Sequence, residues 1–240
     1  MNWVKDTTGR FPERPHYEPE ELDFDCQEFA HLILRNRHDG KLVFPIPTDD
    51  LTVMIERSGA DLDQYADLSN EGSNVEGVTE FTPGMKPRVR ISHLLTDDAR
   101  LENRLRTTLT HECGHVRHHR FLWETKAKTG KLFPDKGLSK QACKRENLVS
   151  ARTYDWMEWQ AGYCCGALLM PITNVKDTVR AFMFEYGIDT LPIEESSPKG
   201  QAFVSRVAFE YGVSRQAASV RLIRLRALGA GCGAQSSILD

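Results

Sequence analysis

The segment His111-Glu112-Cys113-Gly114-His115 constrains this chain more than any other. Around it, Leu101, Leu105, Thr108, Leu109 and Val116 recur at helical spacing, which predicts an amphipathic helix of about four turns. Histidines four residues apart sit about 40° apart around a helix and one turn along it, so both imidazoles can reach one metal ion from the same face. Glu112 stands beside that face, placed to take a proton from water at a zinc centre while the water attacks a carbonyl. Thr96-Asp97-Asp98 are expected to open this helix, with Thr96 as the cap and the two aspartates complementing its positive end. Gly114 has no side chain and leaves room for another element to come close.

A catalytic zinc takes three protein ligands and keeps one position open. The metzincin spacing would place Gly at position 118 and His at position 121, where this chain has His118 and Phe121. His118 itself faces roughly as His111 does, but two helical turns put about 10 Å between them. A carboxylate from a second helix is the remaining candidate, and the segment from Asp155 to Pro171 supplies one. There Glu158, Ala161, Cys165 and Leu168 follow i, i+3, i+7, i+10 along one helical face. A buried, unpaired carboxylate is costly, so Glu158 on an apolar face needs a partner: a metal ion, or else Arg106 or Arg117. Glu146 is a further candidate ligand with less pattern behind it. Hydrogen-bond donors for a developing oxyanion are on offer at Tyr154, Tyr163, His118 and His119, and the sequence does not choose among them.

Length and composition set the frame. With 240 residues, 40% apolar and 27% charged, the chain can bury a substantial core as one large domain, or as one domain plus an appendage. A net charge of −3 argues against a surface built wholly for nucleic acid. The sequence has no apolar run of membrane-spanning length and no apolar leader, so a soluble, cytoplasmic protein with no membrane partner is expected. The six cysteines contain no CxxC pair and are expected to be reduced, buried or half-buried thiols.

Three parts are expected along the chain: an N-terminal arm over residues 1–18, a metallopeptidase domain over 19–195, and a helical segment over 196–240 beyond a linker at Pro192–Gly200. Within the middle part, helices are predicted over 20–37, over 49–58 with Thr48 as cap, over 155–170 with Pro171 as the stop, and over 174–187. A β-hairpin is predicted from 75–82 and 87–92, with 87–92 as an outer strand to which an extended substrate could add. In the C-terminal segment, a helix through Tyr211, a turn at Gly212-Val213 and a capped second helix from Ser214 to Leu228 follow a helix-turn-helix pattern. Six basic residues against the single Glu210 between Lys199 and Arg226 give this stretch a local charge of +5. DNA binding over 199–228 would place Ser214, Arg215, Gln216 and Ser219 on the recognition helix; the alternative is a helical hairpin packed on the rest of the protein.

The order HExGH, then about forty residues, then Glu-x-x-Ala and Ala-Leu-Leu-Met-Pro resembles the ImmA/IrrE family of metallopeptidases. His111, Glu112, Gly114, His115, Glu158, Ala161 and Leu168 to Pro171 carry the resemblance, which covers about residues 20–175. The hairpin with Gly77 to Phe81 suits the strands that precede the active helix in that family. The resemblance implies an α+β, mostly helical zincin-like fold with a small antiparallel sheet and a C-terminal helix-turn-helix-like appendage. It also implies one zinc ion held by His111, His115 and Glu158, Glu112 as catalytic base, and an Xre-type repressor as the protein substrate, whose cleavage relieves repression. The family more often has Phe-Ala where this chain has Cys164-Cys165, which leaves room for redox sensitivity. A rival expectation is a zinc-containing DNA-binding regulator. A third, an inactive peptidase fold used as a binding module, leaves the complete His/Glu/His set with its adjacent base unused.

Overall fold

The chain opens with a hairpin in which β1 (Asn2–Lys5) pairs antiparallel with β2 (Glu13–His16). Asp6 organises its turn, accepting hydrogen bonds from the Thr8 and Phe11 amides at 2.9 Å and from the Trp156 indole at 3.2 Å. Phe11 meets the Trp123 and Trp156 rings edge-on. The expected arm is therefore a packed hairpin, because its partners come from helices more than a hundred residues away.

The computed structural model describes residues 1–72, 74–82, 84–128, 139–144 and 155–229, and their class is mixed α+β. Two helices follow the hairpin, α1 (Pro19–Arg37) and α2 (Thr48–Arg57). Thr48 is the first residue of α2 rather than its cap: Pro47 holds that position, and the Thr48 hydroxyl donates to Glu102 at 3.0 Å instead.

Four strands, β3 (Asp61–Ala66), β4 (Val75–Phe81), β5 (Arg88–Ser92) and β6 (Ser139–Lys144), form one sheet in the order β3-β5-β4-β6. The expected hairpin is present as β4 and β5, with Gly77 opposite Ile91. Strand β5 is not an outer strand, however. Strand β3 runs parallel along its far side, so both of its hydrogen-bonding edges are taken and it has none free for an added substrate strand.

A short helix α3 (His93–Thr96) leads towards the long α4 (Glu102–Lys128). The cap before α4 is Asp98, whose carboxylate accepts from the Arg100 amide at 3.0 Å and opens a 3₁₀ turn over Ala99–Leu101. Thr96 cannot serve, because it lies inside α3 and its hydroxyl donates to the Gln64 carbonyl at 2.6 Å. Helix α5 (Trp156–Leu169) is capped by Asp155, which accepts from the Met157 and Glu158 amides. Pro171 ends it and precedes α6 (Ile172–Tyr186). All residues of α5 except Trp159 and Gly166 are buried, so this helix runs through the core instead of presenting one apolar face to it.

The C-terminal pair is α7 (Pro198–Tyr211), capped by Ser197, and α8 (Arg215–Arg224), capped by Ser214. Helix α8 stops at Arg224, short of the expected Leu228, and β8 (Leu228–Gly229) then pairs in parallel with β7 (Ile193–Glu194) inside the stretch expected to be a linker. One hydrophobic cluster contains Leu22 and Ile33 of α1, Leu109 of α4, Leu168 of α5, Val179 of α6, Phe203 of α7 and Leu222 of α8. Among the described residues no helix is long and apolar enough to cross a membrane.

The contact between α4 and α5 positions everything that follows. A Cβ placed on Gly114 would lie 3.1 Å from both the Ala161 Cα and the Cys164 Cβ, and 3.2 Å from the Ala161 carbonyl oxygen. The helix backbones touch where glycine faces alanine, and nothing larger fits without pushing them apart. Gly114→Val should cost about 1–3 kcal/mol of stability and should weaken metal binding by separating the two helices. Urea unfolding and a chelator-competition titration check this; a variant as stable as the parent, with full metal affinity, would contradict the close-contact argument.

Candidate metal centre

Helix α4 presents His111 and His115 one turn apart, as their spacing predicts, and α5 brings Glu158 against both. The His111 and His115 Nε2 atoms are 3.1 Å apart, and each lies 3.3 Å from one oxygen of Glu158. Ligand atoms about 2.0–2.1 Å from a tetrahedral ion stand about 3.3 Å from one another, so these separations match the edges of such a shell. The group is one of two among the described residues whose side chains could hold a metal ion; the other is Cys26, His118 and Cys164.

Neither arginine weighed as a partner for Glu158 reaches it. Arg106 donates to the Ile46, Tyr211 and Gly212 carbonyls, tying the entry to α2 to the end of α7. Arg117 forms a two-pronged pair with Asp25 at 2.6 and 2.7 Å. Glu158 Oε2 and Glu112 Oε1 are buried and have no hydrogen-bond partner, a costly arrangement for carboxylates unless a cation or a bound molecule meets them. That observation, together with the two-nitrogen, one-carboxylate donor set, fits zinc-type ligation.

The electrostatics separate the two glutamates. Burial pushes Glu158 towards its neutral form, but His115 and His111 outweigh it and hold the carboxyl far below the usual range. Burial raises Glu112, and His115, His111 and the Thr79 hydroxyl oppose this only in part. Burial works against charge on His115, yet the Glu158 carboxylate beside it raises its pKa overall. The centre thus favours positive charge, whether from a proton or from a metal cation.

Strand β4 forms the wall behind Glu112. The Thr79 hydroxyl donates to Glu112 Oε2, and a Cβ on Gly77 would come within 2.6 Å of Glu112 Oε1 and 2.8 Å of the Thr108 methyl. Glycine at position 77 therefore makes the space that the carboxylate occupies.

Among the described residues, His119 is the oxyanion candidate that hydrogen-bonds a ligand histidine. The Gln160 amide nitrogen donates to the Pro15 carbonyl at 3.0 Å, which turns its oxygen towards His119 Nε2 at 2.9 Å. His119 therefore carries its proton on Nε2. Burial, then the neighbouring His115, lowers its pKa well below the usual value, so the ring is neutral and its Nδ1 accepts. His115 Nδ1, 3.1 Å away, must then be the donor, which leaves Nε2 as the atom turned to Glu158 and His111, where a metal ion would replace a proton. His119 is thus an orienting residue, and only the i+4 spacing from His115 hinted at this contact.

No protein-family model and no curated protein sequence matches this chain. The site is accordingly interpreted from its own chemistry.

The remaining candidates lie elsewhere. The Tyr163 hydroxyl donates to Asp23 at 2.8 Å, and His118 turns towards Cys26 and Cys164. Tyr154 and Glu146 fall outside the described residues. At the C-terminus, Arg215 donates to Ser205 and Gln201, Ser214 caps α8, Ser219 donates to Glu195, and Gln216 is exposed. Arg221, counted above in the local positive charge, is buried, pairs with Asp23 at 2.6 Å and donates to the Met170 carbonyl. Much of that charge is engaged within the protein.

Replacing His119 with Phe should weaken divalent-metal affinity about 10–100-fold while leaving the fold intact. Competition against a calibrated chelator measures this, and an unchanged affinity would remove the orienting role.

Proposed function

We propose that this chain is a zinc-dependent endopeptidase of the ImmA/IrrE type, cytoplasmic, whose substrate is an Xre-type repressor. The observation that carries this reading is the near-tetrahedral spacing of His111, His115 and Glu158 with Glu112 buried directly beside them. His111 and His115 supply neutral nitrogen donors, His115 with its Nε2 already aimed by His119, and Glu158 supplies the negative charge. Zinc bound there would polarise the scissile carbonyl and make water a better nucleophile near neutral pH.

Glu112 does the proton work. Its Oε2 is steadied by Thr79 and its Oε1 is left without a partner, ready to accept a proton from the attacking water. The raised pKa makes it a stronger base than an exposed glutamate, and the resulting acid can return the proton to the leaving amine. His111, Glu112 and His115 are fully buried and Glu158 is 6% exposed, so the centre is shielded from bulk water.

The test compares wild type with Glu112→Gln, both zinc-loaded, against a purified Xre-type repressor and a proteome-derived peptide library. Wild type should cleave in a chelator-sensitive manner. Glu112→Gln should retain its zinc and lose activity about 10²–10⁴-fold. Equal cleavage by folded, metal-loaded wild type and variant would overturn the assignment, as would no cleavage by wild type of any repressor or peptide offered.

A further inference from the structure

We propose that Cys26, His118 and Cys164 form a second, structural zinc site, completed by the carboxylate of Asp25. The three side chains come from α1, α4 and α5, and their ligand atoms all lie within 4.8 Å of one another. Both cysteines are fully buried and His118 is 4% exposed. The observation that points to a ligand is His118, whose Nε2 is buried and makes no hydrogen bond while its ring stands beside the two sulfurs. Leaving such a nitrogen unsatisfied costs about 1–3 kcal/mol, and a cation removes that cost.

The donor chemistry suits zinc. Two thiolates and an imidazole are its preferred structural ligands, and their tetrahedral edges would run to about 3.5–3.8 Å. Asp25 Oδ2 stands 3.5 Å from His118 Nε2, and Arg117 holds the same carboxylate at 2.6 Å, as partners of coordinating carboxylates commonly do. Three donors already converge; turned further towards the sulfurs, the Asp25 carboxylate would be the fourth and close the shell, the pattern of a structural rather than a catalytic site.

The placement says what the ion would do. His118 follows His115 by less than one turn of α4, and Cys164 lies on α5 in the same close contact with Gly114 as Ala161. An ion here would pin α1 to the two helices whose separation sets the His111, His115 and Glu158 geometry. Its binding energy would appear as folding stability, because the ligands converge only in the folded chain. The remaining buried cysteines make other contacts: Cys113 lies 3.7 Å from the Ser58 hydroxyl, and Cys165 accepts from Thr110.

Cobalt(II) distinguishes this site from the His111 centre, since only thiolate ligands give intense sulfur-to-cobalt charge-transfer absorption. The full-length chain is produced in cobalt-supplemented, zinc-depleted medium, its folding is checked by circular dichroism, and its metal is counted by mass spectrometry. Wild type should carry about two ions per chain and show the charge-transfer band. His115→Ala should lose about one ion and keep the band, while Cys26→Ser and Cys164→Ala should each lose the band and keep the other ion. About one ion in wild type, with the band present and His115→Ala without effect, would sink the His111 centre and leave this one standing. Folded wild type without the band would overturn the proposal, as would an unchanged band in either cysteine variant, or a thiol count under denaturing conditions showing Cys26 and Cys164 joined as a disulfide. Should the cysteine variants fail to fold, the wild-type spectrum and His118→Gln decide the matter on the same criteria.

Discussion

Helix α4 lies against α5 closely enough that backbone meets backbone at Gly114 and Ala161, and the chemistry of this protein depends on that contact. Three ligand atoms 3.1–3.3 Å apart are supplied by two helices that are separate in sequence. A shift of one ångström between the helices would turn a shared centre into three unrelated polar side chains. Side chains of ordinary size at the crossing would impose such a shift, which is why the smallest residues sit there. The same contact explains how α5 can carry an ionised glutamate while being buried almost all round. Glu158 is not exposed to water; it is held opposite two imidazoles that stabilise its charge.

The two glutamates illustrate how placement assigns roles to identical groups. Glu158 lies between His111 and His115 and is pulled towards the charged form, as suits a ligand. Glu112 lies next to His111 on α4, against β4, where burial dominates and pushes it towards the protonated form, as suits the proton-transfer role proposed for it. The difference is made by the sheet as much as by the helix, since Gly77 and Thr79 shape the pocket in which the Glu112 carboxylate sits.

Local periodicity made the site helices legible. The i, i+4 histidines and the stop at Pro171 follow from spacing within one element, and the β4–β5 hairpin follows from strand patterning across a Pro-Gly turn; the one-face argument for Glu158 does not hold in a helix buried almost all round. What spacing cannot express is which elements meet. That β5 is flanked by β3, that residues 1–18 fold back onto Trp123 and Trp156, and that Arg221 reaches Asp23 are all long-range pairings with no local signature. Caps misread by one or two residues share one cause: Thr48 and Thr96 have the right chemistry, but tertiary partners at Glu102 and Gln64 take their hydroxyls first.

Position around and along one helix then accounts for the different fates of four histidines. Successive residues turn by about 100°, so His111, His115 and His119 line one side of α4, the first two on the Glu158 centre and the third behind His115. His118 lies within about 20° of His111 around the axis but two turns further along it, at the level of α1, where it meets two sulfurs instead of a carboxylate. A single helix therefore presents nitrogen donors to two clusters of different character: a mixed nitrogen and oxygen set, which suits a metal that keeps an open position, and a sulfur-rich set, which suits one that does not. Because Glu158 and Cys164 also share one helix, whatever fixes the second cluster fixes the spacing of the first. Cys164 is thus tied physically to the residues of the His111 centre.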